Sequence, residues 1–255
     1  MTEPNAVRPV PQQRIREKVD ECMSRKDYAG VERVLLYWLE EAQSGGDLRG
    51  KLMILNELVG HYRKTHESEK IRQRADEALR LVNLLGYEDA ISGATTYVNI
   101  ATAYNSLGED EPAVPLFEHA RQIYESHPGT DAPLLGGLYN NMGLTYTALK
   151  RYNDALAVYR LALTVMGQVP GGETDQAITC LNMADTLSAM RGLEAEQDIY
   201  PLLDQAESYL NAPGLPRDSY YAYVCEHCAP TFEYFGYFAA AETLRQRAEE
   251  IYERS

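Results

Sequence analysis

The residue types best suited to metal binding lie together at residues 225–228 (CEHC). A structural zinc site needs four ligands, usually from two such cysteine pairs, and no second pair is present in this sequence. The segment also has helical periodicity, so Cys225 and Cys228 share one face of a helix. The remaining cysteines, Cys22 and Cys180, are far away in the sequence. Small thiols packed between helices are therefore favoured over metal or redox chemistry, and we predict no metal and no cofactor.

A catalytic arrangement is not visible elsewhere. The five histidines are scattered, and none accompanies a Ser or Cys in a recognisable nucleophile motif. Neither Gly45-Gly46 nor Gly171-Gly172 is followed by the Lys-Ser/Thr of a phosphate-binding loop. The acidic run at residues 108–111 is most simply a solvated turn. We therefore predict that the protein is not an enzyme.

Composition narrows the range of partners. The 255 residues carry a formal net charge of -14 at pH 7, which disfavours general binding to nucleic acid and to anionic membranes. No apolar run is long enough to span a bilayer, and residues 1–13 do not have the apolar core of a secretory signal. Four cysteines do not make a disulfide framework in a chain of this size. We expect a cytoplasmic protein with a neutral or basic protein or peptide partner.

One order of small and large residues recurs through the chain. It is clearest in residues 139–166, which are predicted to form two amphipathic helices joined by a turn at residues 149–151. The order there is Tyr139, Met142, Gly143, Tyr146, Ala155, Tyr159 and Ala162. It occurs one repeat earlier as Tyr97, Ile100, Ala101, Tyr104, Ala113, Phe117 and Ala120, and more faintly one repeat before that as Leu55, Leu58, Val59, Tyr62, Ala75 and Ala78. Self-similarity at such a fixed period is typical of stacked helical hairpins.

The repeat predicts an all-α, right-handed superhelical solenoid. Residues 1–11, with three prolines, are predicted to be a disordered lead-in, and residues 12–255 a single domain. The predicted helix pairs are 12–43, 48–86, 89–127, 135–168, 174–211 and 218–254. No alternation of period two indicates a strand. The second helix of the fifth pair fits the repeat poorly: Tyr200 keeps the aromatic position, but Glu196 and Leu203 replace the alanines, so we expect a wider or differently angled pair there.

The order of residues from Tyr139 to Ala162 resembles the tetratricopeptide repeat, a helix-turn-helix unit with a usual period of about 34 residues. The resemblance covers nearly the whole chain from about residue 12. The period in this sequence is longer, about 42 residues, which is still within the range of such stacked units. It is similar to the longer variant found in kinesin light chains and in bacterial peptide-sensing regulators. The resemblance implies a protein- or peptide-binding module, which holds an extended segment along a concave face lined by the first helix of each pair.

The resemblance also implies a binding role for an asparagine two residues before the small position of the first helix. Asn99, Asn141 and Asn182 match this position in three successive repeats, whereas Glu57 and His227 replace it in two others. An amide side chain has both an acceptor and donors, so it can bond to the C=O and N–H of one peptide unit. The alternative is that these amides bond to a neighbouring helix and only stabilise the stack.

Three functional hypotheses follow. In the first, a non-catalytic adaptor holds an extended segment in its groove, and Asn140 and Asp185, one step from the ladder, add side-chain selectivity. In the second, the chain is a peptide-sensing regulator that acts through a separate effector, since only about ten residues precede the first repeat. In the third, it is a self-assembling scaffold, and therefore a homo-oligomer, whose groove receives the Pro-rich arm of another copy.

Overall fold

The computed structural model describes residues 7–254, apart from the side chain of Leu193, and this part of the chain is an all-α fold of six helical hairpins without a strand. This confirms the predicted fold class. The helices are α1 Gln12–Ser24, α2 Tyr28–Ser44, α3 Leu48–Lys64, α4 Ser68–Leu85, α5 Ile91–Ser106, α6 Asp110–Ser126, α7 Ala132–Ala148, α8 Tyr152–Met166, α9 Glu173–Arg191, α10 Glu196–Leu210, α11 Ser219–Tyr234 and α12 Phe238–Arg254, with a short 3₁₀ helix, Gly192–Ala195, between α9 and α10.

Small residues allow the two helices of a hairpin to approach closely. In the α7–α8 hairpin Gly143 faces Tyr159, and a Cβ added to this glycine would lie 2.3 Å from a ring carbon of Tyr159. Ala155 and Ala162 on α8 are fully buried. In this hairpin the recurring order of small and large residues is therefore the contact surface between the two helices, as predicted.

A residue in the left-handed backbone region forms the turn within five of the six hairpins. Its backbone amide and that of the next residue bond back to the last turn of the first helix, the usual way of ending a helix. In the α7–α8 hairpin the N–H of Arg151 donates to the carbonyl of Tyr146 at 2.7 Å. The φ angles of these turn residues lie between 56° and 85°, at Lys26, His66, Gly108, Lys150 and Gly236.

The fifth hairpin corrects one detail of the sequence prediction. Tyr200 does not occupy the core aromatic position, because its side chain is 42% exposed. The core of α10 is made by Ile199, Leu203 and Ala206, all buried. The 3₁₀ helix Gly192–Ala195 adds residues before α10, so the repeat frame moves by three positions.

The predicted lead-in is held in place over its described part. The N–H of Arg8 donates to the carbonyl of Gly45 at 2.9 Å, and the N–H of Val10 donates to Oδ2 of Asp47 at 2.9 Å. Val10 is buried. Residues 7–11 therefore differ from the predicted disorder, while residues 1–6 lie outside the described residues.

Contacts divide the helices into two compact units, one ending at His127 and the other beginning at Pro128. In the first unit α3 packs on α2 and α5, and in the second unit α9 packs on α7, α8 and α11. In the first unit α3 therefore lies beside α5, and in the second unit α9 lies beside α7 and α11. A single domain over residues 12–255 stays a prediction.

Candidate functional site

Five of the first helices, two in the first unit and three in the second, each have a stripe of residues that are not buried. Its members are spaced four, three and four residues apart, which places them on one face of a helix. All of them are half-buried or exposed, and we call this stripe the ladder face. It contains Met53, Glu57, Gly60 and Lys64 on α3; Thr95, Asn99, Thr102 and Ser106 on α5; Gly137, Asn141, Leu144 and Ala148 on α7; Ile178, Asn182, Asp185 and Ala189 on α9; and Tyr223, His227, Pro230 and Tyr234 on α11.

The three predicted ladder asparagines have unpaired amides in the described part of the chain. Asn99, Asn141 and Asn182 are half-buried, and within residues 7–254 no group hydrogen-bonds to their side chains. Only the backbone carbonyls of Asn141 and Asn182 take part in side-chain bonds, each accepting from a threonine hydroxyl one turn later. These amides are therefore open to a ligand or to water.

A neighbouring asparagine stabilises the stack instead. Nδ2 of Asn140 on α7 donates to Oγ1 of Thr179 on α9 at 2.9 Å. The equivalent bond in the first unit joins Nδ2 of Asn56 on α3 to Oγ1 of Thr96 on α5 at 3.0 Å. Asn140 thus lies at the contact between two first helices rather than on the ladder face, and its part in ligand selectivity stays a prediction. Sequence reasoning missed the role of Asn56, although it occupies the position of Asn140 two repeats earlier.

Glu57 occupies the ladder position of α3 but is not an amide equivalent. Its carboxyl is half-buried, and burial raises the pKa of Glu57 above its ordinary value. The charges of Arg16 and Asp20 act on it in opposite directions, so this carboxyl faces α1. The amides at this position are therefore Asn99 in the first unit, and Asn141 and Asn182 in the second.

Two carboxylates on α9 lie on the same side of the helix as Asn182. Asp175 accepts a hydrogen bond from the Tyr220 hydroxyl at 2.8 Å, and Asp185 accepts a long one from the Thr231 hydroxyl at 3.5 Å. Although Asp185 is exposed, desolvation by surrounding protein atoms raises the pKa of Asp185 to about 6. Burial likewise raises the pKa of Asp175.

The ladder face of α11 is aromatic. The ring of Tyr223 stacks on those of Tyr220 and His227, with centroids 6.4 and 5.8 Å away. Tyr223 and Tyr234 are 53% and 74% exposed. The sequence alone did not separate these surface tyrosines from the many that pack helices together, because both groups follow helical spacing.

In the first unit, one group of side chains is spaced like the ligands of a metal ion, but the ammonium group of Lys70 already lies among them. Ligand atoms of Glu32, His61 and Glu67 lie within 4.8 Å of one another. Nζ of Lys70 is 2.7 Å from the Glu32 carboxylate and 2.6 Å from that of Glu67. The hydrogen bond from Lys70 is the main cause that lowers the pKa of Glu32 and of Glu67, so the group is an ion-pair network.

All four cysteines are buried free thiols. Burial raises the pKa of Cys180 to about 12 and that of Cys225 to about 11. Because reactivity belongs to the thiolate, this shift disfavours thiol chemistry at Cys180 and Cys225, and all four side chains are packed in the interior. Along the described chain, no helix has the length and apolar character needed to cross a membrane.

Comparison with known proteins identifies the repeats. Models of the tetratricopeptide repeat match residues 51–126 and 136–169. "Protein KINESIN LIGHT CHAIN-RELATED 1" of Arabidopsis thaliana is 28% identical over 107 residues, which are 40% of this chain and 17% of that protein. The chain therefore matches less than a fifth of the length of this curated relative.

Solved structures show the same fold. BtubC (BKLC) from P. vanneervenii superposes with a TM-score of 0.68 at 20% identity, over 78% of this chain and 79% of that one. A putative kinesin light chain from Podosopora anserina with nearly identical TPR-like repeats gives a TM-score of 0.56 at 15% identity, over 79% of this chain and 94% of that one.

Such repeats are in general scaffolds for protein–protein interaction, and proteins built from them are typically non-catalytic. Together, the repeat matches, the relative and the fold comparisons lead to one conclusion: residues 51–126 and 136–169 are tetratricopeptide repeats, and the chain is similar to proteins of the kinesin-light-chain type.

Proposed function

We propose that the chain is a non-catalytic cytoplasmic adaptor that holds an extended protein or peptide segment against its ladder face. The observation that carries this proposal is a contrast between asparagines. Asn56 and Asn140 are paired with threonines across the stack, whereas Asn99, Asn141 and Asn182 have no partner within residues 7–254. The stacking role is thus already filled, and the ladder amides are left for a ligand.

The spacing of the second unit suits a peptide backbone. Asn141 and Asn182 lie on α7 and α9, which pack against each other. Axes of packed helices are about 8–10 Å apart, and an extended chain advances about 3.3 Å per residue. Successive rungs therefore meet a peptide unit about every third residue. Backbone bonds hold the segment, and the residues beside them select its side chains.

The third sequence hypothesis, self-assembly through the Pro-rich arm, is less well supported. The backbone of Arg8 and Val10 is already bonded to the turn between α2 and α3 of the same chain. A regulator that acts through a separate effector stays a hypothesis. Its test is small-angle scattering with and without a bound peptide, where unchanged dimensions would count against a switch.

The adaptor proposal is tested by selecting binders from a library of random peptides on the wild-type protein and measuring their affinities for variants. We expect Asn141→Ala with Asn182→Ala to weaken selected peptides by about tenfold or more, since each amide loses hydrogen bonds worth about 1 kcal/mol. The matched control is Asn83→Ala with Asn153→Ala, two exposed asparagines on second helices. Equal affinities for both double variants, with circular dichroism unchanged, would show that the ladder amides do not hold the ligand.

A further inference from the structure

We propose that the last part of the ladder face, on α9 and α11, is a subsite for an arginine side chain of the bound segment. The subsite consists of two carboxylates on α9 and four rings on α11, and we call it the Tyr-Asp cradle. Its residues are Asp175, Asp185, Tyr220, Tyr223, His227 and Tyr234. This inference rests on the proposed function for how the segment is held, and it adds the chemistry of the side chain recognised.

Two hydrogen bonds align α9 and α11. The Tyr220 hydroxyl bonds to Asp175, and the Thr231 hydroxyl bonds to Asp185. The two carboxylates are ten residues apart, about 15 Å along a helix, so one guanidinium contacts Asp185, and Asp175 adds negative charge on the same side of α9. Asn182 lies between them on α9, so the cradle and the last amide rung form one continuous surface.

The carboxylates of the cradle have no cation from the described chain. Among residues 7–254, no Lys or Arg forms an ion pair with Asp175 or Asp185. Elsewhere the chain supplies its own cations to carboxylates, as Lys70 does for Glu32 and Glu67. A carboxylate that is partly desolvated without a counter-charge is stabilised by a cationic ligand.

The exposed rings of the cradle also lack an internal cation among the described residues. In other parts of the chain Lys70 lies over the ring of Tyr62 and Arg217 over that of Tyr221. In the described part of the chain, no Lys or Arg lies over Tyr223 or Tyr234, and both are largely exposed. Because the Tyr223 ring already stacks on Tyr220 and His227, the ring of Tyr234 is the one available for a cation–π contact with a ligand.

A carboxylate and an aromatic ring of the cradle line the same cleft. Asp185 and Tyr234 line the same open cleft of about 430 Å³, together with Ser188, Ala189, Pro230 and Thr231. A planar guanidinium stacks on an aromatic face and bonds to a carboxylate through two N–H groups, which an ammonium cannot do. This combination favours arginine over lysine.

Charge excludes two other occupants of an aromatic stripe. Nucleic-acid bases also stack on tyrosine, but two uncompensated carboxylates and a net charge of -14 repel phosphates. An acidic peptide is disfavoured for the same reason. A basic segment is attracted by both the cradle and the whole molecule.

The test uses a fluorescein-labelled peptide, (Ser-Arg-Ala) repeated three times, and its matched lysine and citrulline versions. Citrulline keeps the shape of arginine without its charge. Fluorescence anisotropy with the full chain at about 50 mM salt limits screening. We expect the arginine peptide to bind at least about fivefold more tightly than either other peptide.

Variants assign this preference to the cradle. We expect Asp185→Asn and Tyr234→Ala each to weaken the arginine peptide by about fivefold. Asp76→Asn and Tyr37→Ala, which remove the same groups from exposed positions in the first unit, are expected to change its affinity by less than about twofold.

Each contrary result has a distinct meaning. No binding of the arginine peptide, equal binding of arginine and citrulline peptides, or equal losses in Asp76→Asn and Asp185→Asn would overturn the cradle. The Asn141→Ala, Asn182→Ala double variant is expected to weaken all three peptides equally and keep the arginine preference. If the ladder amides do not hold the peptide, the double variant binds all three peptides as tightly as the wild type does. If the cradle does not select arginine, the arginine peptide binds no more tightly than the other two peptides.

Discussion

At the scale of single residues, Asp47 connects the lead-in to the first unit. Its carboxylate accepts the N–H of Gly50, capping α3, and also the N–H of Val10, each at 2.9 Å. Asp27 caps α2 in the same way, by accepting the N–H of Gly30 at 2.8 Å, but within residues 7–254 it has no second backbone donor. Asp27 therefore only caps a helix, whereas Asp47 caps a helix and also holds the lead-in, so comparing the two isolates the contribution of the bond to Val10.

We expect Asp47→Ala to lower the free energy of unfolding by about 2–4 kcal/mol, since a lost cap costs about 1 kcal/mol and an unpaired buried N–H adds about 1–3 kcal/mol. Asp27→Ala is expected to cost only about 1 kcal/mol. Urea unfolding followed by circular dichroism measures both. Equal losses in the two variants would mean that the bond to Val10 contributes nothing.

A pH dependence also belongs to this scale. Because the pKa of Asp185 is raised to about 6, its carboxyl is mostly ionised at pH 7 and becomes neutral as the pH falls through 6. The folded state then binds a proton that the unfolded chain does not hold. The unfavourable contribution of this group to stability is therefore present at pH 7 and is relieved at pH 5.

The pH dependence of ligand affinity should have the opposite sign to that of stability. We expect the affinity of the arginine peptide to fall between pH 7 and pH 5, because protonation removes the negative charge of Asp185. Asp185→Asn should flatten this dependence. Since imidazole groups in general also titrate in this range, His227→Gln is the control. A pH profile that disappears in His227→Gln and persists in Asp185→Asn would assign the effect to the histidine.

At the scale of helices, the closeness of α7 and α8 depends on Gly143. An added methyl group would meet the Tyr159 ring at 2.3 Å, and such overpacking costs about 1–3 kcal/mol. Gly137, on the same helix, has nothing within 4 Å of an added Cβ. We expect Gly143→Ala to lower the melting temperature and Gly137→Ala to raise it, since alanine favours a helix by about 1 kcal/mol over glycine.

Calorimetry on the two glycine variants shows directly whether each substitution raises or lowers the melting temperature. A rise in melting temperature for both would show that Tyr159 moves away at no cost. In that case the small residue at this position of the repeat would be explained by packing elsewhere, and not by contact with Tyr159 in this hairpin.

At the scale of the whole molecule, charge acts on association. With a net charge of -14, the chain attracts a basic segment over distances comparable with the Debye length, about 8–10 Å near physiological salt. We expect the association rate of the arginine peptide to fall by about tenfold between 50 and 500 mM salt. The citrulline peptide should change little in the same stopped-flow measurement. A salt-independent rate for the arginine peptide would contradict electrostatic attraction.

The ladder residues of the second unit are more exposed than those of the first unit. On α3 only Lys64 of the four ladder residues is exposed, whereas all four are exposed on α11. The second unit also contains two of the three amide rungs and the Tyr-Asp cradle. We therefore place most of the binding contribution in the second unit.

The sequence by itself determined the all-α fold class and the order of small and large residues within a hairpin. The physical reason is that helix–helix contact within a hairpin is local: small residues such as Gly143 and large ones such as Tyr159 must face each other about half a repeat apart. The predicted alignment of the repeat was wrong at Tyr200, because the amino-acid composition gives no signal for the 3₁₀ helix Gly192–Ala195 that shifts it.

Only the tertiary structure decided which asparagine faces the next helix. Asn140 and Asn141 are adjacent and point about 100° apart on the helix, so the packing of α7 on α9 determines which amide is paired and which is free. The same packing brings Tyr220 to Asp175, 45 residues earlier. Contacts between hairpins depend on how first helices stack, and the repeat pattern, which records contacts within a hairpin, does not contain that information.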